Sequence, residues 1–200
     1  MNRRRREKKT DYRQRLALLK SRKVRLVVRR NLNNIHAQLV NYEKNGDKTL
    51  IEEISKSLAK YGWKGHKGNI TAGYLTGLII GFKAAKNGIK EATLDAGLQI
   101  STKGSSIYAV VAGARDAGLD VPVDEEMLPP KERTEGAHTA NLAKVLKPKQ
   151  DRYKRQFSAY LKNGLDPEKL PDHFKEVKDK IMKDFAAIQA IRDQENFLKK

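Results

Sequence analysis

Residues 23–40, KVRLVVRRNLNNIHAQLV, constrain this chain most. Val24, Leu26 and Val28 alternate with Lys23, Arg25, Val27 and Arg29, a period of two that reads as a strand with one apolar face. Ile35, Ala37 and Leu39 repeat the pattern after Asn31-Leu32-Asn33-Asn34, where asparagine tolerates the backbone of a tight reversal. The expected element is a β-hairpin whose solvent face carries Arg25, Arg29 and Arg30. No acid follows in the sequence before Glu43, so that face is expected to meet something anionic.

Charge agrees with that expectation through where it sits. The 200 residues carry a formal charge of +18, but residues 1–30 hold 14 Lys/Arg against 2 acids, residues 31–130 hold 11 against 11, and residues 131–200 hold 17 against 11. A neutral centre with basic ends is the footprint of a protein that grips a polyanion with its extensions. Nucleic acid is expected rather than membrane, because the basic arm lacks the apolar face of a surface-seeking helix. No apolar run approaches the roughly 18–20 residues of a membrane span, and no apolar segment follows the first arginines as a secretory signal would require. With no cysteine, disulfides, thiolate nucleophiles and cysteine zinc sites are excluded.

The arm opens with Arg3, Arg4, Arg5 and Arg6, a run that also suits a nuclear-import signal, and is expected to stay disordered until bound. Leu16, Leu18 and Leu19 allow a short helix before Lys20, with Arg13 and Arg15 projecting outward. Past the hairpin, Asn45-Gly46 marks a turn and residues 49–54 a third strand of imperfect alternation. YGWKGHKGN, residues 61–69, is loop-like: glycines let a backbone approach phosphate, Lys64 and Lys67 neutralise it, and Trp63 either stacks on an unpaired base or caps the core. Gly65-His66-Lys67-Gly68 matches the GXXG of a KH domain, though strands rather than a helix are expected before it.

A helix over residues 70–86 follows, with Leu75, Leu78, Ile79 and Phe82 on one face. Gly73, Gly77 and Gly81 recur every four residues on a neighbouring stripe. Each costs about 1 kcal/mol against alanine, so the stripe is expected to lie against another backbone. Residues 89–95 read as a short strand and residues 105–117 as a second helix, with Ile107, Val110, Val111 and Ala114 buried. Its first-turn amides with Lys103 could hold a phosphate, although capping is the commoner use of Ser105 or Ser106. The three prolines of residues 121–136 read as a linker. Helices over residues 139–146, 151–163 and 172–197 follow, the last with a stripe of Phe174, Val177, Ile181, Phe185, Ile188 and Ile191. No His, Asp or Glu constellation suggests catalysis, so the chain is not expected to be an enzyme or to need a cofactor or metal.

RLVVRRNLNNIHAQLV, KYGWKGHKGN, TAGYLTGLIIGFKAAKNGIKEATLD and TKGSSIYAVVAGARDAGLDVP, in this order, resemble the large-subunit ribosomal protein family that binds 5S ribosomal RNA. YKRQFSAYLKNGLDPEKLPDHFKEVKDKI is similar to the C-terminal extension of its archaeal and eukaryotic forms. The resemblance implies an α/β fold: a mixed sheet with helices packed on it, a basic RNA-binding arm (residues 1–22), a core domain (23–125), and a linker with a helical C-terminal extension (126–200). It implies 5S rRNA, large-subunit rRNA and neighbouring ribosomal proteins as partners in the cytoplasmic ribosome, with no membrane and no small-molecule substrate. Carried over by position, the implied RNA contacts are Arg3 to Arg6, Arg13, Arg15, Arg25, Arg29, Arg30, Asn33, Asn34, Trp63, Lys64, His66, Lys67, Asn69, Lys103 and Ser105. The rival expectation is an assembly adaptor that binds protein through its C-terminal helices, with a KH-like loop.

Overall fold

A computed structural model describes the backbone of residues 3–198 and the side chains of residues 3–186. The alternating runs form β1 (Arg25–Arg30) and β2 (Ile35–Glu43), paired antiparallel with Leu26 opposite Leu39 and Val28 opposite Ala37. The Asn31–Asn34 reversal closes with the Asn31 N–H donating to the Asn34 carbonyl. β3 (Gly46–Ile54) pairs antiparallel with β2 after the expected turn. Its broken alternation is a β-bulge: Val40 faces Thr49 and Leu39 faces Ile51, leaving Leu50 as the extra, exposed residue.

β4 is shorter than the expected strand, only Thr93–Asp95, because the chain before it pairs just once, Glu91 with Asp120. It joins β1 in parallel, giving the order β3-β2-β1-β4 and a mixed sheet. One sheet face, with Leu26, Val28, Ile35, Ala37 and Leu39, packs on α3 (Ile70–Lys86) and α4 (Ser106–Asp116). Both helices fall where periodicity placed them.

The glycine stripe of α3 meets the backbone of α4. A Cβ on Gly73 would lie 2.8 Å from the Ser106 carbonyl oxygen, one on Gly77 would clash with the Val110 carbonyl, and one on Gly113 of α4 would clash with the Tyr74 carbonyl. Both helices therefore carry glycine at their crossing, and their backbones touch without side chains between them.

The far side of α3 is not solvent-facing. Leu58 and Trp63, with Leu75, Leu78 and Ile79 of α3, form a second apolar cluster with Leu165, Leu170, Phe174, Val177 and Ile181. The last four lie in or at the start of α9 (Leu170–Leu198), so its apolar stripe packs on the central helices. Ile188 and Ile191 lie outside the described residues. Between α4 and α9 the proline-rich stretch is packed: Val121, Pro129 and Thr134 are buried, and α5 (Lys131–Thr134) and α6 (Ala137–Leu146) lead into α7 (Gln150–Gln156) and α8 (Ser158–Lys162). The single helix expected over 151–163 breaks at Phe157, which is buried.

The arm is helical rather than irregular. α1 (Arg3–Arg6) is one turn with no buried residue. α2 (Tyr12–Lys20) is capped by Asp11, whose carboxylate accepts from the Arg13 and Gln14 amides. Lys8 and Arg22, at φ 52° and 55°, form the two joints that fold α2 back across the outer face of the sheet.

Candidate nucleic-acid interface

The outer sheet face differs from the expectation. Arg25 is 4 % exposed rather than solvent-facing. β4 puts Asp95 opposite Val27, midway between Arg25 and Arg29, and the carboxylate binds both: Arg25 Nη1 at 3.0 Å and Arg29 Nη2 at 2.9 Å. Arg29 also donates to the Asp95 and Val28 carbonyls. Asp47 on β3 lies 2.8 Å from Arg25 Nη2, an ion pair not aligned as a hydrogen bond, and its two oxygens accept from Arg15 Nη2 at 3.0 Å. The anions that this face meets are thus two aspartates of the same chain. Together with the arm they enclose a crevice of about 460 Å³, which Arg4 and Lys9 also line.

The loop and the hairpin reversal converge elsewhere. Asn33, Asn34, Lys64, His66 and Lys67 line one hollow of about 330 Å³, together with Lys56, Gly65, Ala159, Tyr160 and Asn163. Lys56, Lys64 and Lys67 have no carboxylate in this lining and no ion pair among the described residues. Three ammonium groups around a concave surface without a counter-charge suit a run of phosphates. Lys56, Tyr160 and Asn163 were invisible to sequence reasoning. Lys56 follows Glu52 and Glu53 in a locally neutral stretch, and nothing near Asn163 in sequence signals the loop it meets.

The loop is held, not floppy. The 3₁₀-helix Ser55–Tyr61 enters it and Asn69 caps α3 at its exit, accepting from the Ala72 amide at 2.8 Å. Trp63 is 3 % exposed and belongs to the second apolar cluster, so of its two readings the core one holds, and its ring is not free to stack on a base. Its indole N–H donates to the His66 carbonyl at 3.2 Å, and His66 Nδ1 accepts from the Gly68 amide at 3.1 Å. Burial pushes the His66 imidazole below its ordinary pKa, favouring the neutral ring that this bond needs. Gly65 is buried against the Trp63 ring.

The remaining residues lie apart from the hollow. Arg3 to Arg6 and Arg13 are exposed, with Arg3 3.7 Å from Glu7. Arg30 is exposed while its backbone exchanges hydrogen bonds with the Gln99 amide. Lys103 pairs with Glu126 at 2.6 Å. Ser105 sits at the cap position of α4 without a capping bond, its hydroxyl buried and unpartnered, contrary to the expected capping role. Among the described residues there is no metal-competent cluster, and no helix is long and apolar enough to cross a membrane.

Comparison with known proteins matches the family described as ribosomal large subunit proteins 60S L5 and 50S L18 over residues 1–91, from the arm to the bridge residue Glu91 just before β4. The chain is also 54% identical to large ribosomal subunit protein uL18 of Methanococcus maripaludis over 180 residues, 90% of this chain and 93% of the relative. The chain belongs to the uL18 family. It is therefore a structural protein of the large ribosomal subunit, with the ribosome's cytoplasmic location, as the resemblance implied. Because the match with uL18 takes in nine-tenths of the chain, it extends beyond the sheet into the helical extension that covers α3.

Proposed function

We propose that this protein binds 5S rRNA and helps attach it to large-subunit rRNA in the central protuberance, alongside neighbouring ribosomal proteins. The carrying observation is the hollow in which Lys56, Lys64 and Lys67 stand together without a carboxylate. Family membership supports the reading, as does the exposed basic turn Arg3–Arg6. RNA fits better than DNA, because concave sites fringed by asparagine and tyrosine suit irregular folds and unpaired bases. The adaptor reading loses its main support, since the described part of the α9 stripe is already buried against α3.

The test is binding of the full chain to 5S rRNA against excess transfer RNA. Lys56→Ala, Lys64→Ala and Lys67→Ala combined should lower affinity and flatten the salt dependence by about one unit of log–log slope per lysine. Unchanged affinity in the triple variant would remove the hollow from the interface. No preference of the wild type for 5S rRNA would overturn the function itself.

A further inference from the structure

Lys64 has both of its backbone polar groups, on consecutive peptide units, gripped by the C-terminal extension. Its N–H donates to Nε2 of His173 on α9 at 3.1 Å, and its carbonyl accepts from Nδ2 of Asn163, at the end of α8, at 3.0 Å. The partners lie 109 and 99 residues away in sequence. The His173 ring also lies flat on Trp63, centroids 5.2 Å apart and planes 17° from parallel. At the far end of the loop the Asn69 amide donates to the Tyr160 hydroxyl at 3.4 Å. A segment with glycines at 62, 65 and 68 would otherwise sample many backbone states, and ordering it would weaken whatever it bound.

We infer that the C-terminal extension is the positioning device of the RNA-binding loop: His173 and Asn163 fix the Lys64 backbone so that Lys64 and Lys67 face a phosphate chain before contact. This inference rests on the RNA-binding reading above. His173 serves as an acceptor at Nε2, so its proton sits on Nδ1, which faces Glu176 Oε2 at 3.9 Å. The charged groups around the ring are Glu176 and Lys180 on α9 and Lys64 on the loop. Burial and the two lysines favour the neutral imidazole, and Glu176 opposes them.

His173→Phe keeps an aromatic ring against Trp63 while removing the Nε2 acceptor, together with the Nδ1–H that faces Glu176. In the full chain it should speed hydrogen exchange of the Lys64 amide, leave the melting temperature close to wild type, and weaken 5S rRNA binding roughly 2- to 10-fold, the range of one hydrogen bond. Because His173 acts through the loop lysines, the same change in a Lys64→Ala/Lys67→Ala background should cost less than about twofold. His173→Gln, which offers an amide oxygen, should recover part of the loss, and Asn163→Ala should resemble His173→Phe. Equal losses in both backgrounds, or wild-type affinity for His173→Phe, would overturn the inference. If wild-type protein fails to bind 5S rRNA, the functional reading falls; the exchange rate of the Lys64 amide then still decides the clamp, and no acceleration in His173→Phe refutes it.

Discussion

Truncating Arg25 strips Asp95, whose carboxylate is only 8 % exposed in the folded protein, of one of its two cations. Breaking a buried ion pair from one side typically costs about 3–5 kcal/mol. Arg25→Ala should therefore lower the melting temperature of the free protein sharply, whereas Lys64→Ala/Lys67→Ala should leave it unchanged and act on RNA affinity alone. Melts of the RNA-free variants check this, and a wild-type melt for Arg25→Ala would contradict the buried network. The histidines add a pH dependence. His66 and His173 have folded pKa values held below the ordinary 6.5, mainly by burial, so the unfolded chain takes up protons first. The stability their neutral rings contribute is complete above about pH 6.5 and is lost as pH falls below it. Melting temperature should drop between about pH 7 and pH 5.5, and less steeply in His173→Phe.

At the scale of elements, the α3–α4 crossing is the contact least tolerant of change. Gly77→Ala would place a methyl group against the Val110 carbonyl, a backbone atom that cannot swing aside. Overpacking of this kind costs about 1–3 kcal/mol, and Gly77→Leu should cause unfolding or aggregation. A wild-type melt of Gly77→Ala would mean that the helices separate at little cost. The arm behaves differently. α2 buries no residue completely and is tied to the sheet through Arg15 and Asp47, a partly exposed pair contributing on the order of 1 kcal/mol. Deleting residues 1–20 should leave a cooperative thermal transition, slightly lowered, while weakening 5S rRNA binding. Loss of cooperativity would show that the arm is part of the fold.

The whole molecule is built in layers: arm, sheet, the α3–α4 pair and the extension, with apolar clusters on both sides of α3. Its cations are sorted by these layers. Arg25 and Arg29 on the outer sheet face, and Arg15 of α2 above it, are paired with aspartates, while Lys56, Lys64 and Lys67 of the hollow have no ion pair among the described residues. If about eight phosphates are neutralised, the log–log salt dependence of 5S rRNA binding should have a slope of about −6 to −7. A slope shallower than about −2 in filter binding would place most of these charges off the RNA.

Much of this organisation was legible in local spacing. The strands β1 and β2, the bounds of α3, the buried face of α4, the apolar stripe of α9 and the glycine register all follow from neighbours two or four residues apart, distances over which a chain reports its own geometry. The uneven charge was equally visible, because it needs only counting along the chain. What local spacing could not show is which side chains meet across long stretches of sequence. Asp95 reaches Arg25 and Arg29 from 70 and 66 positions away, through a parallel pairing that no hydrophobic period encodes. With Asp47 it gives Arg25 and Arg29, expected on an open solvent face, carboxylate partners within the chain. Tertiary packing likewise put Trp63 in the core, joined Lys56 to the loop lysines, and placed His173 and Asn163 on the Lys64 backbone. A residue's period along the chain decides whether it faces inward, but whether an outward cation finds a carboxylate or a phosphate depends on what the rest of the chain brings beside it.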